Sequence, residues 1–185
     1  AGGVRGAQLA VVNIAGSVTG VQAGVVNLAR SVRGTQMGVV NLAAMAKGAQ
    51  IGVLNLADTL RGAVIGVVNL ARDLDGFPLG VVSLGLNMRP GVDAWMEESG
   101  WTTAALRFDA ARFHVKYAAT FSVTDPVHRF GGGLGLGAHW NVDSIWRIDA
   151  DLSTRQILNL PGQGRMRMGQ WNQVSVSVHL RIGSV

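Results

Sequence analysis

A unit of 14 residues recurs six times in the first half of the chain, as in "GVQAGVVNLARSVR" followed by "GTQMGVVNLAAMAK". Each copy begins with Gly and carries a small polar residue, usually Asn, at its centre. The Gly positions are Gly6, Gly20, Gly34, Gly48, Gly62 and Gly76, and the central positions are Asn13, Asn27, Asn41, Asn55, Asn69 and, in the sixth copy, Ser83. Because a fixed period specifies structural units that stack on one another, this half is predicted to be a repeat architecture.

The composition of the unit favours strand over helix. Fourteen residues equal two heptads and are close to four helical turns. Gly, however, occurs twice in most copies, and each interior Gly costs roughly 1 kcal/mol relative to Ala in a helix. Pairs such as Val25 and Val26 prefer strands. Each copy is therefore predicted to contain a strand from Gln through Ala, a polar corner, a second extended piece carrying a residue such as Val18, and a Gly turn.

Near-identity of the copies favours a parallel β-solenoid over an antiparallel meander. In a solenoid each coil places its residues above the same residues of the previous coil, and rows of identical amides gain hydrogen bonds only in that arrangement. A ligand-binding stripe is the alternative role for these amides, but buried amides must be paired, which favours structural ladders. The predicted ladders are Asn13, Asn27, Asn41, Asn55 and Asn69, and Gln8, Gln22, Gln36 and Gln50.

Both faces of the predicted strand are apolar or small. Leu9 and Val11 lie on one face, and Ala10, Val12 and Ile14 lie on the other. One face fills the thin interior of the solenoid, so the second needs a cover of its own, either another protein layer, another chain or lipid. The repeats therefore predict contact with a partner.

From residue 91 onward, a period of two residues replaces the period of 14. In "RFHVKYAATFSV" apolar and mostly polar residues alternate, which indicates a half-buried antiparallel strand. The same alternation marks "WTTAALRF", "FGGGLGLGAHW", "WRIDADLS" and "VSVSVHLRI", about five strands in all. The predicted fold is all-β, with a short-coil, 14-residue parallel β-solenoid in residues 1–90 and an antiparallel up-and-down sheet, or a partial or complete β-barrel, in residues 91–185.

A transmembrane barrel and a water-soluble sheet both fit the second half. Several strands reach about 10 to 12 residues and carry Trp or Phe near their ends, as membrane-crossing strands do, but closed bacterial barrels need at least about eight strands. Either further strands lie beyond Val185, or other chains complete the wall, or the apolar face packs on a core. The alternate glycines of "GGGLGLG" fall on the non-apolar face, where a neighbouring backbone or a plug approaches closely.

The residue types predict no catalysis, metal or cofactor. The chain has no Cys, which removes disulfides and Cys-based zinc sites. Asp149 and Asp151, beside Arg147, are interpreted as a polar row rather than an acid–base pair, and "GGGLGLG" lacks the Lys and following helix of a phosphate loop. The histidines have neither H-x-x-x-H nor H-x-H spacing, and they are His114, His128, His139 and His179. The protein is therefore predicted to be non-enzymatic.

The net charge of +5 arises from 16 Lys and Arg against 11 Asp and Glu, and it permits an anionic partner. Two arginines in the predicted loop "GQGRMRMGQW" are a small footprint for nucleic acid, so a membrane-interface loop is favoured and no nucleic-acid partner is predicted. The polar corners of the solenoid make binding of an anionic glycan or lipid, such as lipopolysaccharide, the alternative function. The candidate anion contacts are Arg30, Arg33, Lys47, Arg61, Arg165 and Arg167.

The units "GVQAGVVNLARSVR", "GTQMGVVNLAAMAK" and "GAQIGVLNLADTLR", followed by "GFPLGVVSLG" and amphipathic strands, resemble the surface-repeat proteins of bacterial envelopes. In that family G-x-Q-x-G-x-x-N-x-A units precede a β-rich, outer-membrane-like segment. The resemblance implies a structural or interaction role in the outer membrane or at the cell surface, with lipid or envelope proteins as partners and homo- or hetero-oligomers both open. Val64 and Pro78 replace Gln and Ser83 replaces Asn, so the ladders are expected to end toward the second half.

The beginning of the chain also matches the repeat. Val-Arg-Gly at residues 4–6 recurs at residues 32–34, so residue 1 falls inside a copy. No charged segment followed by an apolar one marks a signal peptide, and no uninterrupted apolar run reaches the roughly 18 residues of a transmembrane helix. The chain is therefore expected to be processed or excised from a longer protein.

Overall fold

The structure is a computed structural model that describes residues 2–125, 129–143, 146–159 and 167–180. The regular secondary structure in these ranges consists of β-strands alone, so the predicted all-β class is confirmed. No helix long and apolar enough to cross a membrane occurs among the described residues. The chain divides into two compact units, Ala1–Met88 and Arg89–Val185, which we call the repeat unit and the sheet unit.

The repeat unit is a parallel β-solenoid. It contains β1 (Gly3–Leu9), β2 (Val12–Ala23) and β3 (Val26–Gly85), paired in parallel in that order. Each residue pairs with the one 14 positions later, as Gly6 does with Gly20 and Asn13 with Asn27. The strand β3 is long because its backbone ladder continues without interruption through several coils. This register excludes the antiparallel meander, in which identical residues would not stack.

The bends between β1 and β2 and between β2 and β3 differ from the predicted position. The chain bends at Ala10 and Val11, inside the stretch predicted as one strand, and the polar stretch after Ala15 that was predicted as a corner remains within β2. At the first of these bends Asn13 Nδ2 lies 3.2 Å from the Ala10 carbonyl three residues earlier. Val11 and Val12 are both exposed.

The interior of the repeat unit is thin and half polar. Most coils turn inward their central Asn, and the second to fourth coils also turn Gln inward, together with small or aliphatic residues such as Ala15, Val18 and Val32, the last two of which are 1% exposed. The outer surface is apolar in part, since the row Val11, Val25, Val39, Val53, Val67 and Val81 is between 46% and 70% exposed. Apolar residues of the other predicted strand face also lie on the surface, since Val12 and Ile14 are 55% and 60% exposed. The expectation that one of these two faces fills the interior is therefore wrong.

Glycine at the start of each copy is required by the stacking. Gly20 and Gly34 have φ angles of 131° and 134°, a region that side-chain-bearing residues rarely adopt. A Cβ at Gly34 would also collide with the backbone carbonyl of Gly20 in the coil below. Gly at this position therefore allows both the turn and the close contact between coils.

The sheet unit is a six-stranded antiparallel meander. Its strands are β4 (Arg89–Met96), β5 (Trp101–Ala110), β6 (Phe113–Ser122), β7 (Arg129–Asn141), β8 (Trp146–Asn159) and β9 (Arg167–Leu180). They are hydrogen-bonded in sequence order, with β4 and β9 at the two edges, so the predicted up-and-down connection is confirmed.

The sheet unit contains one strand more than predicted. The added strand is β4, which includes Pro90 and Gly91 and was not among the predicted strands. Proline lacks an N–H group and is tolerated on an edge strand, which is the position that β4 has. At the other edge β9 begins at Arg167, so Met168 and Trp171 lie in a strand rather than in the predicted loop.

Candidate functional site

The sheet unit buries its polar face and exposes its apolar face. On β8 Arg147, Asp149 and Asp151 are buried, whereas Leu152, which faces the other side, is 59% exposed. On β9 the outward residues are also large and apolar, and Val174 is 80% exposed. This is the reverse of a sheet that packs its apolar side on a core, which was one of the alternatives for this half of the chain.

Contacts between distant strands show how the polar face becomes buried. Arg147 on β8 donates through Nη1 to Asp109 Oδ2 on β5 at 3.2 Å. These strands are three positions apart in the sheet, which corresponds to about 14 Å across a flat sheet with strands about 4.8 Å apart. The sheet is therefore strongly curled, and its polar face is the concave one.

Glycines on β7 make room for the polar side chains on this concave face. Gly137 pairs with His114 of β6 on one side and with Asp151 of β8 on the other. A Cβ at Gly137 would collide with both of these side chains. The close approach predicted for "GGGLGLG" is therefore made at Gly137 by side chains of the flanking strands.

A network of ion pairs fills one part of the concave face. Arg147 holds Asp109 with two hydrogen bonds of 3.2 Å and donates to Asp149 through Nε. Arg107 lies 3.3 Å from Asp93 and 3.5 Å from Asp149. Since burial of a charge is costly unless it is paired, each of these groups stabilises its neighbours by compensating their charge.

The network continues to Asp151. Its Oδ2 accepts from Lys116 Nζ at 2.9 Å, and its Oδ1 lies 2.6 Å from Nε2 of His114. Lys116 also approaches Asp93 at 3.3 Å. The two aspartates considered for acid–base chemistry, Asp149 and Asp151, are thus both held by basic side chains in a buried polar row.

A second charged cluster lies around Arg155. Its Nη2 atom is 2.6 Å from Glu97, and its Nη1 atom donates to Thr103 Oγ1 at 3.2 Å. The guanidinium also lies over the ring of Trp171, 5.7 Å from the ring centroid. A cavity of about 460 Å³ extends beside it, lined by residues of β4 and β6 to β9 that include Lys116 and Asp151.

Two histidines and one carboxylate come together beside the ion-pair network. Asp109, His114 and His139 each offer a ligand atom, and these atoms all lie within 4.8 Å of one another. The two imidazole rings are stacked with centroids 6.1 Å apart. Sequence spacing missed this cluster because its members come from β5, β6 and β7. The available signal was the pairing register, which places Asp109 opposite His114.

The predicted Asn residues form a continuous ladder through the repeat unit. Asn13 Nδ2 donates to Asn27 Oδ1 at 2.9 Å, and the same bond of 2.8 Å recurs upward to Asn69, which donates to Ser83 Oγ at 3.0 Å. Each Asn also donates to a backbone carbonyl ten residues ahead, as Asn41 does to Ile51. These amides are at most 2% exposed, so a ligand has no access to them.

The Gln residues form a shorter ladder that runs in the opposite sense. Gln50 Nε2 donates to Gln36 Oε1, and Gln36 donates to Gln22, both at 2.8 Å, and Gln22 donates to Gln8 at 3.1 Å. The next coil carries Val64 in this place, and Oε1 of Gln50 has no hydrogen-bond partner. Val64 therefore interrupts the Gln row in the fifth coil, one coil before Ser83 replaces Asn in the Asn row.

The structure separates the predicted anion contacts. Arg33, Lys47 and Arg61 occupy the same place in successive coils and are exposed, so they form one row, which we call the basic row. Arg30 belongs to another row and lines an apolar groove of about 1150 Å³ together with residues such as Leu28 and Leu42. Two further candidates are not placed as contacts, because Arg165 lies outside the described residues and Arg167 is described only as the first residue of β9.

Comparisons with known proteins assign no family. No family model, no curated protein and no solved structure matches the chain.

Proposed function

We propose that this protein is a non-enzymatic structural or interaction component of the bacterial cell envelope. In this proposal the sheet unit is embedded in the outer membrane and the repeat unit is a scaffold. The observation that carries the proposal is the reversed sheet, with charged side chains on the buried concave face and large apolar side chains on the exposed face. Strands that cross an outer membrane alternate in this way, apolar toward lipid and polar toward the interior.

Strand length and aromatic positions support the same role. The strands β5 to β9 contain 10 to 14 residues, and about 9 to 11 tilted residues cross the hydrocarbon layer. Trp140 near the end of β7 and Trp146 at the start of β8 are 49% and 44% exposed. Trp is enriched at both interfaces of a membrane, where its ring contacts lipid and its N–H reaches water.

The resemblance of the repeats to surface-repeat proteins of bacterial envelopes adds to this support. Amides and small or aliphatic side chains fill the interior of the described part of the repeat unit, so its outer surface is the part that a partner can contact. Its exposed rows of Val and Leu suit lateral contact with lipid or another envelope protein, since apolar patches of this extent mark interaction surfaces. A hydrogen-bonded interior combined with an apolar exterior supports a scaffold role.

Two substitutions on neighbouring residues of β9 test the membrane assignment. Val176 faces outward and is 71% exposed, whereas Ser175 lines the cavity and pairs in the sheet with Asp151. In the proposed orientation Val176→Lys places a charge in lipid and destabilises the bilayer-inserted protein by about 2–4 kcal/mol. Ser175→Lys places the same charge near a carboxylate and serves as the matched control.

The measurement is urea unfolding of the full chain folded into phosphatidylcholine vesicles, followed by Trp fluorescence. We expect the wild type and Ser175→Lys to insert and Val176→Lys to insert less stably. A wild-type protein that stays monomeric in concentrated detergent-free solution at moderate salt would overturn the membrane assignment, as would equal insertion of both Lys variants.

The alternative function is a binding module for an anionic glycan or lipid. The basic row supports it, because Arg33, Lys47 and Arg61 repeat at the coil spacing of about 4.8 Å, and like charges at that spacing repel one another unless an anion lies against them. Lipopolysaccharide presents phosphates of this kind. The apolar groove beside Arg30 adds a surface for acyl chains.

Vesicles containing lipopolysaccharide distinguish this alternative from the structural role. Replacing Arg33, Lys47 and Arg61 together by Ser is expected to abolish salt-sensitive binding. The charge-matched control replaces three exposed cations outside the row and outside the groove, Arg89, Arg112 and Arg129. Equal losses in both triple variants would indicate general charge attraction and remove the alternative.

A further inference from the structure

We propose that Asp109, His114 and His139 form a binding site for a divalent transition-metal ion, with Zn²⁺ as the ion that the donor set suits best. Two imidazoles and one carboxylate are ligands that zinc accepts, and three protein ligands leave a position for water or another molecule. The three ligand atoms already lie within 4.8 Å of one another. Ligand atoms around one zinc lie about 3.3 Å apart, given bonds of about 2.0–2.1 Å, so small side-chain rotations complete the site.

The partner of His114 fixes the form of its ring that a metal requires. Asp151 Oδ1 lies 2.6 Å from Nε2, so Nε2 carries the proton and donates it in this hydrogen bond. The lone pair is then on Nδ1, which lies 3.9 Å from Asp109 Oδ1. A histidine that binds metal through one nitrogen usually donates its other N–H to a carboxylate, which orients the ring and raises its basicity. Asp151 holds that position here.

Both histidines present a buried nitrogen without a partner. His114 is 1% exposed and His139 is 7% exposed, and neither Nδ1 atom has a hydrogen-bond partner in the part of the chain that the structure describes. Buried polar atoms are nearly always paired, and unpaired ones call for a specific explanation such as a bound ion. A metal ion shared by His114 and His139 supplies the missing partner for the cluster.

The charges around the cluster favour a cation. Four carboxylates and three basic side chains share the ion-pair network, which gives it a net charge of −1 when both histidines are neutral, and its members are Asp93, Asp109, Asp149, Asp151, Arg107, Lys116 and Arg147. The Nε atom of Arg107 approaches Asp109 Oδ1 at 3.4 Å without forming a hydrogen bond. Asp109 Oδ1 accepts a hydrogen bond from Arg147 Nη2. A carboxylate oxygen has two lone pairs, so one remains for a metal.

The probe for the site is the metal itself, added to the full chain in the medium in which it folds. Titration with Co²⁺ is followed by its visible d–d absorption, and Zn²⁺ is then added in competition. We expect one ion per chain, tetrahedral Co²⁺ bands, displacement by Zn²⁺ and a higher melting temperature with Zn²⁺ bound. These readouts do not depend on any activity or on where the protein resides.

Two variants test the proposed ligand and its supporting carboxylate, and a third is the control. His139→Gln is expected to abolish stoichiometric binding, since it removes one ligand of three. Asp151→Asn is expected to weaken binding roughly 10- to 100-fold, as loss of a partner of a metal-bound histidine does. Asp58→Asn removes an exposed carboxylate of the repeat unit and is expected to leave binding unchanged.

The proposal is overturned if the wild type shows no tetrahedral Co²⁺ bands. It is equally overturned if His139→Gln, with an unchanged circular dichroism spectrum, binds the ion as tightly as the wild type.

Discussion

His114 and Asp151 lie on strands that are not neighbours, yet His114 Nε2 is 2.6 Å from Asp151 Oδ1. The strand β7 runs between them, and its Gly137 pairs with both residues in the sheet. The two side chains meet above Gly137 because glycine has no side chain to separate them. The contact between these two buried side chains thus depends on glycine at position 137 of β7.

Gly137→Ala is therefore expected to destabilise the sheet unit by about 1–3 kcal/mol, the usual range for an added methyl group in a closely packed site. The new Cβ would collide with His114 and Asp151. Gly132→Ala is the control on the same strand, because a Cβ there meets only a backbone oxygen at 3.7 Å. Denaturant unfolding followed by Trp fluorescence measures both, since all five Trp residues lie after residue 90. Equal midpoints for the two variants would contradict this role of Gly137.

Periodicity made the repeat unit largely predictable. A period of 14 with Asn and Gly at fixed places implies a parallel stack, and the structure has that register. The bend at Ala10 and Val11 was not predictable from polarity, because apolar residues surround it. Alternation of polar and apolar residues likewise predicted most strands of the sheet unit, but not β4, which begins with Arg89, Pro90 and Gly91.

The cluster of Asp109, His114 and His139, proposed above as a metal site, could not be predicted from spacing along the chain. Its residues are brought together by three different strands and by the curl of the sheet, neither of which leaves a local motif. Alternation also does not say which face of a sheet is buried, because the same pattern fits a sheet on an apolar core and a sheet with a polar interior. Contacts such as Arg147 with Asp109 decide that question.

Arg147→Met is expected to destabilise the sheet unit by about 3–5 kcal/mol, because removing one partner leaves buried carboxylates without a compensating charge. Asp109 and Asp149 both accept hydrogen bonds from Arg147. Arg112→Met, at an exposed position between β5 and β6, is the control and is expected to change little. The free energy of unfolding from a denaturant titration separates the two, and a loss of less than about 1 kcal/mol for Arg147→Met would argue against the buried network.

Asn41→Ala interrupts the Asn ladder in its middle. Asn27 then loses the acceptor at 2.8 Å, and Asn55 loses the donor that bonds its Oδ1 at 2.8 Å. Leaving a buried polar group unpaired costs roughly 1–3 kcal/mol, and a loss of this size is expected for the repeat unit. Asn141→Ala replaces an exposed Asn and is the control. Because the Trp residues report only on the sheet unit, circular dichroism is the measurement, and unchanged melting of Asn41→Ala would contradict a stabilising ladder.

Gly34→Ala tests whether coil stacking, rather than side-chain burial, limits the repeat sequence. Ala at a φ of 134° is strained by about 1–3 kcal/mol, and the collision of its Cβ with the Gly20 carbonyl adds a packing cost of similar size. A total loss of roughly 2–6 kcal/mol is therefore expected. Gly6→Ala is the matched control, since Gly6 occupies the same place in its coil with a φ of 109°, but a Cβ there has no atom within 4 Å among the described residues. If Gly34→Ala melts by circular dichroism at the same temperature as Gly6→Ala, the coils are not held at the spacing that the structure shows, whereas a larger loss for Gly34→Ala means that contact with the coil below requires Gly in this place.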